Sequence, residues 1–331
     1  MSKKIFVTGG AGYVGSMLTP YLLAKGHQVK VFDTLYFGQE FLPKHKNLKI
    51  VKGDIRNSIE IERESEGYDI FVHLACISND ASYVLDEKLS KTINYDAFEP
   101  MVMSAKKSGV KRFIYASTSS VYGVSSEKDV KEDHPLVPLT LYNKFKGLCE
   151  PLLFKHTNSS FEGVVFRPAT VCGYAPRLRL DLSVNILSNY AYFKNKITVF
   201  GGKQLRPNLN IKDYCDVVDL FINAERSKIE NKIFNVGYEN MTILDLAELV
   251  KNIFDKRYNK SISIVRTESN DNRSYHINSD KIKSELGFKP SYSISNAINS
   301  LFDAFDNNLV PNSFDDDIYF NVKRMQNLNV K

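Results

Sequence analysis

Few cysteines and no long apolar run are the first features of this sequence. Its 331 residues include four cysteines that are widely separated and form no C-x-x-C pair: Cys76, Cys149, Cys172 and Cys215. This spacing argues against zinc ligands and disulfides and favours reduced thiols, so we expect a cytoplasmic protein. The absence of any stretch of about 18 apolar residues predicts no transmembrane helix and no membrane partner. The short apolar segment after Lys4 leads directly into glycines, which indicates a buried strand rather than a signal peptide.

The charge balance excludes further classes of protein. Lys and Arg (44) exceed Asp and Glu (38) by 44 − 38 = 6 charges, but the basic residues are scattered. Because no basic stripe or nucleic-acid-binding module accompanies them, we expect a solvated surface and no nucleic acid partner. The 43% hydrophobic and 25% charged residues are typical of a globular protein. The length is sufficient for a large core and predicts two lobes.

Apolar segments that predict strands alternate with helical segments in the first half of the chain. The predicted strands are Lys4–Thr8, Gln28–Phe32, Leu48–Lys52, Ile70–Leu74, Arg112–Ala116 and Gly163–Arg167. The predicted helices between them include Tyr13–Lys25, Lys91–Lys107 and Leu141–His156. Alternation of this kind predicts an α/β fold, with a doubly wound parallel sheet (Rossmann) and a smaller, mixed α/β substrate lobe.

The alternation of predicted strands and helices becomes less regular after Pro168, and this change sets the predicted domain boundaries. We expect the NAD-binding Rossmann domain to comprise residues 1–170 and about 208–236, because strand signals return at Leu209–Ile211 and Lys232–Val236. The substrate-binding lobe is then 171–207 and 237–310, with a helix near Ser183–Asn195 and short elements at its end. Residues 311–331 form a tail whose role the sequence does not indicate.

A glycine-rich turn follows the first predicted strand. The run Gly9-Gly10-Ala11-Gly12-Tyr13-Val14-Gly15 comes directly after Ile5-Phe6-Val7 and leads into the first predicted helix. In this strand–turn–helix context, glycines let the backbone approach a pyrophosphate, which then lies at the positive end of the helix. The sequence therefore predicts a dinucleotide site.

Acidic residues follow the next two predicted strands and bear on the choice of dinucleotide. Asp33 ends the second strand, where a carboxylate can accept hydrogen bonds from the adenosine ribose and repels a 2′-phosphate. This favours NAD over NADP as the cofactor. Asp54 follows the third strand, and two roles are open for it: a contact with adenine, or the cap of a helix.

Tyr142 and Lys146 lie four residues apart in a predicted helix. Residues at this spacing share one helix face, with about 5–6 Å between their Cβ atoms. A phenol has an ordinary pKa of about 10, which is too high for a base at neutral pH, and a nearby ammonium group favours its ionised form. Together with the dinucleotide site, the pair indicates hydride transfer to or from an alcohol or ketone.

In their order and spacing, the motifs of the chain resemble the extended short-chain dehydrogenase/reductase family, in particular its nucleotide-sugar epimerases and dehydratases. Besides the glycine turn and the Tyr142–Lys146 pair, they are Gly53-Asp54, His73-Leu74-Ala75, Ser117-Thr118-Ser119-Ser120-Val121-Tyr122-Gly123 and Arg167-Pro168. The resemblance extends to about Pro290. It implies a cofactor site formed by Gly9, Gly12, Tyr13, Val14, Gly15, Asp33, Asp54, Ile55, Leu74, Ala75, Ser117, Tyr142 and Lys146.

The resemblance also implies the roles of three catalytic residues. Tyr142 removes a proton from a sugar hydroxyl while hydride passes from the carbon to the nicotinamide. Thr118 hydrogen-bonds the same oxygen. Lys146 supports the phenolate and also holds the cofactor ribose.

Arginines in the second half of the chain are the expected substrate ligands, and no metal site is expected. Arg206 and Arg273 resemble the family's arginines that bind the substrate diphosphate, although Pro207-Asn208 replace the residues that usually follow the first of them. Arg177 and Arg179 can line the same cleft, or they can be surface residues. Planar guanidinium groups suit phosphate oxygens. The implied partner is a nucleotide-diphosphate sugar.

Which reaction follows depends on residues next to Thr118. In the family's 4,6-dehydratases an acidic pair follows the catalytic threonine, whereas this chain has Ser119-Ser120, which argues against dehydration. Our first interpretation is a sugar-nucleotide 4-epimerase. The alternatives are a hexose or heptose 4-dehydrogenase that releases a 4-keto sugar, and a non-catalytic NAD(H)-binding sensor. The resemblance further implies a homodimer, paired through the predicted helices Lys91–Lys107 and Leu141–His156.

Overall fold

Parallel strands connected by helices form the larger part of the molecule. The computed structural model describes residues 2–78, 82, 85–125, 127, 129–268, 274 and 276–330. Its strands are β1 (Lys4–Thr8), β2 (Gln28–Asp33), β3 (Leu48–Lys52), β4 (Ile70–His73), β5 (Arg112–Ala116), β6 (Glu162–Pro168), β7 (Thr170–Cys172), β8 (Lys196–Phe200), β9 (Leu205–Asn210), β10 (Lys232–Val236), β11 (Glu239–Thr242) and β12 (Ser263–Thr267).

Seven of these strands make one sheet in the order β10-β6-β5-β4-β1-β2-β3, and every pair in it is parallel. Strands β5 and β6 are buried along their whole length. Strands covered on both faces by helices need apolar residues at successive positions, which the sequence supplies. One face carries a layer of rings, with the Phe71 centroid 4.9 Å from that of Phe6 and 4.7 Å from that of Phe113.

Helices cover both faces of this sheet and extend beyond it. The α-helices are Tyr13–Ala24, Ser58–Ser65, Glu87–Lys91, Phe98–Lys107, Leu141–Lys155, Ser183–Lys194, Ile211–Asn223, Arg226–Ile229, Ile243–Tyr258, Asp280–Leu286, Ile294–Asp306 and Asn321–Leu328. A π-helical segment spans Thr92–Asp96, and short 3₁₀ segments span Ser119–Tyr122 and Asp317–Tyr319.

Two small sheets belong to the second half of the chain. One has the order β11-β9-β7, with β11 antiparallel and β7 parallel to β9, and the other pairs β12 with β8. A separate hydrophobic cluster that includes Leu187, Val199, Leu246 and Leu301 packs around them. The predicted fold class is confirmed: a doubly wound parallel sheet with a smaller mixed α/β part. The residue boundaries of the two lobes stay a prediction.

Three predicted elements are wrong in detail. The strand signal at Leu209–Ile211 belongs to the longer β9, and Ile211 already begins a helix because Asn210 caps it by accepting a hydrogen bond from Lys212 N at 3.0 Å. The predicted helix Lys91–Lys107 is interrupted by the π-helical segment. The elements after residue 240 are not all short, since Ile243–Tyr258 is a helix of 16 residues.

No helix within the described ranges combines the length and the apolar composition that crossing a membrane requires.

Candidate active site

A cavity of about 1060 Å³ opens at the carboxyl ends of β1, β2, β4 and β5. In open parallel sheets this edge, outside the strand ends, is where ligands bind. The predicted cofactor residues all line the cavity, namely Gly9, Gly12, Tyr13, Val14, Gly15, Asp33, Asp54, Ile55, Leu74, Ala75, Ser117, Tyr142 and Lys146. The structure therefore brings them together, while the role of each one stays a prediction.

Two glycines of the turn, Gly9 and Gly15, have no room for a side chain. Gly9 has φ +74°, and a Cβ atom there would lie 2.6 Å from Ala75 N. A Cβ atom at Gly15 would lie 2.4 Å from the carbonyl carbon of Gly10. The turn thus packs directly against its neighbours and leaves bare backbone at the start of the Tyr13–Ala24 helix. This arrangement fits the pyrophosphate of a dinucleotide.

Asp33 holds the turn as well as facing the cavity. Its Oδ2 accepts a hydrogen bond from Ala11 N at 3.0 Å, and its Oδ1 accepts one from Leu35 N at 2.8 Å. Burial raises the pKa of Asp33, and these two backbone donors oppose that rise. Each carboxylate oxygen keeps lone pairs that can accept from ribose hydroxyls.

The helix-cap alternative for Asp54 is not what the structure shows. Asn57 caps the Ser58–Ser65 helix by accepting from Glu60 N. Asp54 instead accepts from the backbone N of Arg56 at 2.9 Å and from its guanidinium Nε at 3.0 Å. Burial alone would raise the pKa of Asp54, but the contacts with Arg56 hold it below its ordinary value. Asp54 lines the cavity as an ionised, already paired carboxylate.

Tyr142 and Lys146 lie on the Leu141–Lys155 helix, which Thr140 caps by accepting from Asn143 N at 3.3 Å. Lys146 is buried, and its Nζ donates to the carbonyl oxygen of Ala116, at the end of β5, at 2.5 Å. An ammonium group has three donors. One donates to Ala116 and fixes Lys146 against the sheet, and the predicted contacts with a phenolate and a ribose would use the others.

Thr118 is the end of a short hydrogen-bonded chain. Ser120 Oγ donates to Asn143 Oδ1 at 2.5 Å and lies 2.8 Å from Thr118 Oγ1. Since the single proton of Ser120 is used on Asn143, Thr118 is the donor to Ser120. The residue that follows Tyr142 therefore positions the loop that carries Thr118.

A buried ion pair packs beside Ser117, the residue before Thr118. Arg167 on β6 donates to Glu150 through Nε (3.0 Å) and Nη2 (2.6 Å), and both side chains are at most 3% exposed. Ser117 Oγ donates to Glu150 Oε1 at 2.6 Å. Arg167 Nη1 also donates to the hydroxyl of Tyr122 at 2.6 Å. The Arg167-Pro168 motif thus fixes the strand end that precedes Thr118.

The sequence profile described as "NAD dependent epimerase/dehydratase family" matches residues 5–237. The chain belongs to this family. The resemblance to extended short-chain dehydrogenases/reductases is thereby confirmed, and so is NAD as the cofactor of an enzyme of this type.

Relatives with different reactions lie at similar distances from the chain. UDP-glucuronic acid decarboxylase 1 of Danio rerio is 27% identical over 321 residues, which cover 93% of this chain and 73% of that protein. UDP-glucose 4-epimerase of Lactobacillus helveticus is 27% identical over 318 residues, with coverages of 87% and 92%. A crystal structure of UDP-glucose 4-epimerase from Thermotoga maritima with UDP-glucose is 25% identical with a TM-score of 0.81, covering 92% of this chain and 99% of that one.

Three of the four predicted arginines, Arg177, Arg179 and Arg206, line different parts of the cavity. Arg206 lines it from β9. Arg179 donates to both oxygens of Asp181, through Nε (2.9 Å) and Nη2 (3.0 Å), and its Nη1 donates to Ser78 Oγ at 3.0 Å. Arg177 lies near Asp33. Arg273 falls outside the described residues.

Several cavity residues escaped the sequence analysis. Phe37, Ser78, Asn321 and Met325 all line the cavity. Asn321 and Met325 come from the tail, whose Asn321–Leu328 helix approaches the cofactor side. No local pattern marks these residues, because their proximity depends on contacts between distant parts of the chain.

Proposed function

We propose that the protein is an NAD-dependent nucleotide-sugar 4-epimerase. It would oxidise the C4 hydroxyl of a nucleotide-diphosphate sugar and return hydride to the opposite face of the ketone. The observation that supports this most directly is the placement of Thr118, Tyr142 and Lys146 around one cavity with the glycine turn. A sensor that only bound NAD would have no use for this acid–base set.

When bound, NAD would supply the hydride acceptor for the oxidation at C4. Tyr142 takes the hydroxyl proton as the C4–O bond becomes a ketone. Lys146, fixed by its bond to the Ala116 carbonyl, places a positive charge beside the phenolate. Thr118 hydrogen-bonds the same oxygen, which requires its hydroxyl to turn away from Ser120. The reverse steps on the other face of the ketone restore the hydroxyl with inverted configuration.

The carboxylates of the cavity argue against dehydration. Among its described lining residues, the acidic ones are Asp33 and Asp54 on the cofactor side, and Asp181. Burial alone would raise the pKa of Asp181, but its ion pair with Arg179 keeps the pKa below the ordinary value. Asp181 is therefore a poor proton donor. Ser119 and Ser120 follow Thr118 where the family's dehydratases have an acidic pair, and the hydroxyl of Ser120 donates to Asn143.

Decarboxylation of a uronic acid is also less well supported than epimerisation. Such a substrate carries a carboxylate that requires a cation. Arg179 is a cation of the cavity and has Tyr142 among its electrostatic neighbours, but its guanidinium is already bidentate with Asp181. A neutral sugar finds better partners, for example the buried hydroxyl of Ser183, which lines the cavity and has no hydrogen-bond partner among the described residues.

The test is a product analysis with candidate sugar nucleotides and NAD. We expect a C4-inverted sugar by NMR with no net NADH. A 4-keto product with stoichiometric NADH would instead support the 4-dehydrogenase, and loss of water or of CO₂ would support a dehydratase or a decarboxylase.

Two variants separate catalysis from binding. Tyr142→Phe should reduce kcat by about 10²–10⁴-fold, the usual contribution of a general acid–base group. Tyr238→Phe is the matched control, because Tyr238 is 49% exposed and does not line the cavity. Full activity in Tyr142→Phe would contradict the catalytic assignment.

We further propose a cytoplasmic homodimer paired through the Phe98–Lys107 and Leu141–Lys155 helices. These helices expose Met103 (53%) and Leu148 (41%), which a second copy would cover. Sedimentation at micromolar concentration should show a dimer, and Met103→Glu should dissociate it. A wild-type monomer would refute this proposal.

A further inference from the structure

Arg177 is a buried cation that lines the cavity, and no carboxylate among the described residues forms an ion pair with it. Its side chain is 2% exposed, and its Nε has no hydrogen-bond partner among the described residues. Its Nη2 donates to Asn321 Oδ1 at 2.6 Å, and the guanidinium lies 3.5 Å from the ring centroid of Phe37. Removing a guanidinium from water is costly unless an anion compensates for it. The arrangement therefore suits an anionic ligand.

Arg177 lies beside the part of the cavity that is predicted to bind the cofactor. Its backbone N donates to Ser16 Oγ at 3.1 Å, and Ser16 N in turn donates to Gly12 O at 2.8 Å in the first turn of the helix after the glycine turn. Asp33, at the end of β2, is one of its electrostatic neighbours. Arg206, in contrast, lines the cavity from β9 of the three-stranded sheet.

The tail holds Arg177 in this place. Asn321 is buried, and its Nδ2 donates to Ser78 Oγ at 2.8 Å while its Oδ1 accepts from Arg177. Arg324, one turn later, donates to the carbonyl of Tyr36 at 2.8 Å and to Asp317 at 3.0 Å. The bond to Tyr36 joins the Asn321–Leu328 helix to the loop after β2, and Asn321 of this helix lines the cavity.

We propose that Arg177, oriented by Asn321 of the tail, binds the diphosphate of NAD. The bare backbone of the glycine turn and the guanidinium would then contact the same phosphates from two sides, which gives charge-assisted hydrogen bonds that the turn alone cannot provide. This assigns Arg177 to the cofactor instead of the sugar nucleotide, and it gives the tail a role. The inference rests on NAD as cofactor and not on which sugar reaction occurs.

Arg177→Met tests the contact through binding in the absence of any sugar nucleotide. NADH affinity is measured by its fluorescence, and ADP and adenosine are measured by competition. A lost charged hydrogen bond predicts roughly a tenfold to hundredfold weaker affinity for NADH and ADP, with little change for adenosine. Circular dichroism and thermal unfolding of the unliganded variant show whether it folds.

Asn321→Asp gives a second test, which should raise the melting temperature and lower the affinity for NADH. A carboxylate at this position would neutralise Arg177 from within the protein, so the unliganded protein should melt at a higher temperature while NADH binds more weakly. Gln326→Glu is the matched control, since it adds the same charge on an exposed position of the same helix and should change neither value.

Several results would overturn the proposal. Unchanged NADH affinity in both Arg177→Met and Asn321→Asp would remove the contact altogether. An equal loss for adenosine and ADP would move Arg177 from the diphosphate to the nucleoside. Weaker binding of a UDP-sugar with unchanged NADH binding would return Arg177 to the substrate. None of these outcomes depends on whether the enzyme proves to be an epimerase.

Discussion

Breaking the buried Arg167–Glu150 pair should destabilise the protein far more than removing it entirely. In Arg167→Met, Glu150 stays 2% exposed and keeps only the hydrogen bond from Ser117. An uncompensated buried charge costs about 3–5 kcal/mol of unfolding free energy. Tyr122 loses one partner but still donates to Asn235 Oδ1 at 2.7 Å, so it adds little.

The double variant Arg167→Met with Glu150→Leu removes both charges. The remaining loss is then mainly the hydrogen bond of Ser117, about 1–2 kcal/mol. We therefore expect the second substitution to recover about 1–4 kcal/mol of the first, as the difference between these two costs.

The assay is urea unfolding followed by circular dichroism, because the chain has no tryptophan. Lys155→Met is the control, since its pair with Glu99 at 2.9 Å is on the surface, with Lys155 65% exposed, and should contribute less than about 1 kcal/mol. If Arg167→Met is no less stable than the double variant, the reasoning about the unpaired carboxylate is refuted.

Two further predictions concern pH. Burial, and after it the charge of Lys146, keeps the pKa of His73 well below 6.5. As the pH falls below about 6.5, His73 takes up a proton in the unfolded chain but not in the folded protein. The free energy of unfolding should therefore drop by up to about 1.4 kcal/mol per pH unit. His73→Gln should flatten that slope in urea titrations, whereas His45→Gln, on the surface, should retain it. Burial raises the pKa of Asp33 above its ordinary value, so NADH affinity should weaken as pH falls through that raised pKa, since a protonated carboxyl accepts fewer ribose bonds. Asp33→Asn should bind NADH more weakly at neutral pH and without this pH dependence, and an unchanged pH profile would contradict the assignment.

Much of the site was predictable because its signals are local. The Gly9–Gly15 turn directly follows a strand, and Tyr142 and Lys146 are one helical turn apart, so short-range geometry places their functional groups. Asp33 was predictable for a related reason, since it lies at the carboxyl end of a parallel strand, whereas Ser117 was implied only by the family resemblance.

The partners of these groups were not predictable. No role was predicted for Asn143, and only the structure shows it accepting a hydrogen bond from Ser120. Arg177 was expected to line a substrate cleft or to be a surface residue, and only the structure shows that it is buried and hydrogen-bonded to Ser16 of the first helix and to Asn321 of the tail. The helix signal across Lys91–Lys107 gave no indication of the π-helical segment Thr92–Asp96.

The sequence alone determined the parallel sheet, and it predicted the dinucleotide site and the acid–base pair, because periodicity and spacing act over a few residues. The tertiary structure decided which charges are paired and which face the cavity. Asn321 meets Arg177 across 144 residues of chain, and Arg167 meets Glu150 from a different element. Such contacts depend on how whole elements pack, and no pattern of nearby residues encodes them.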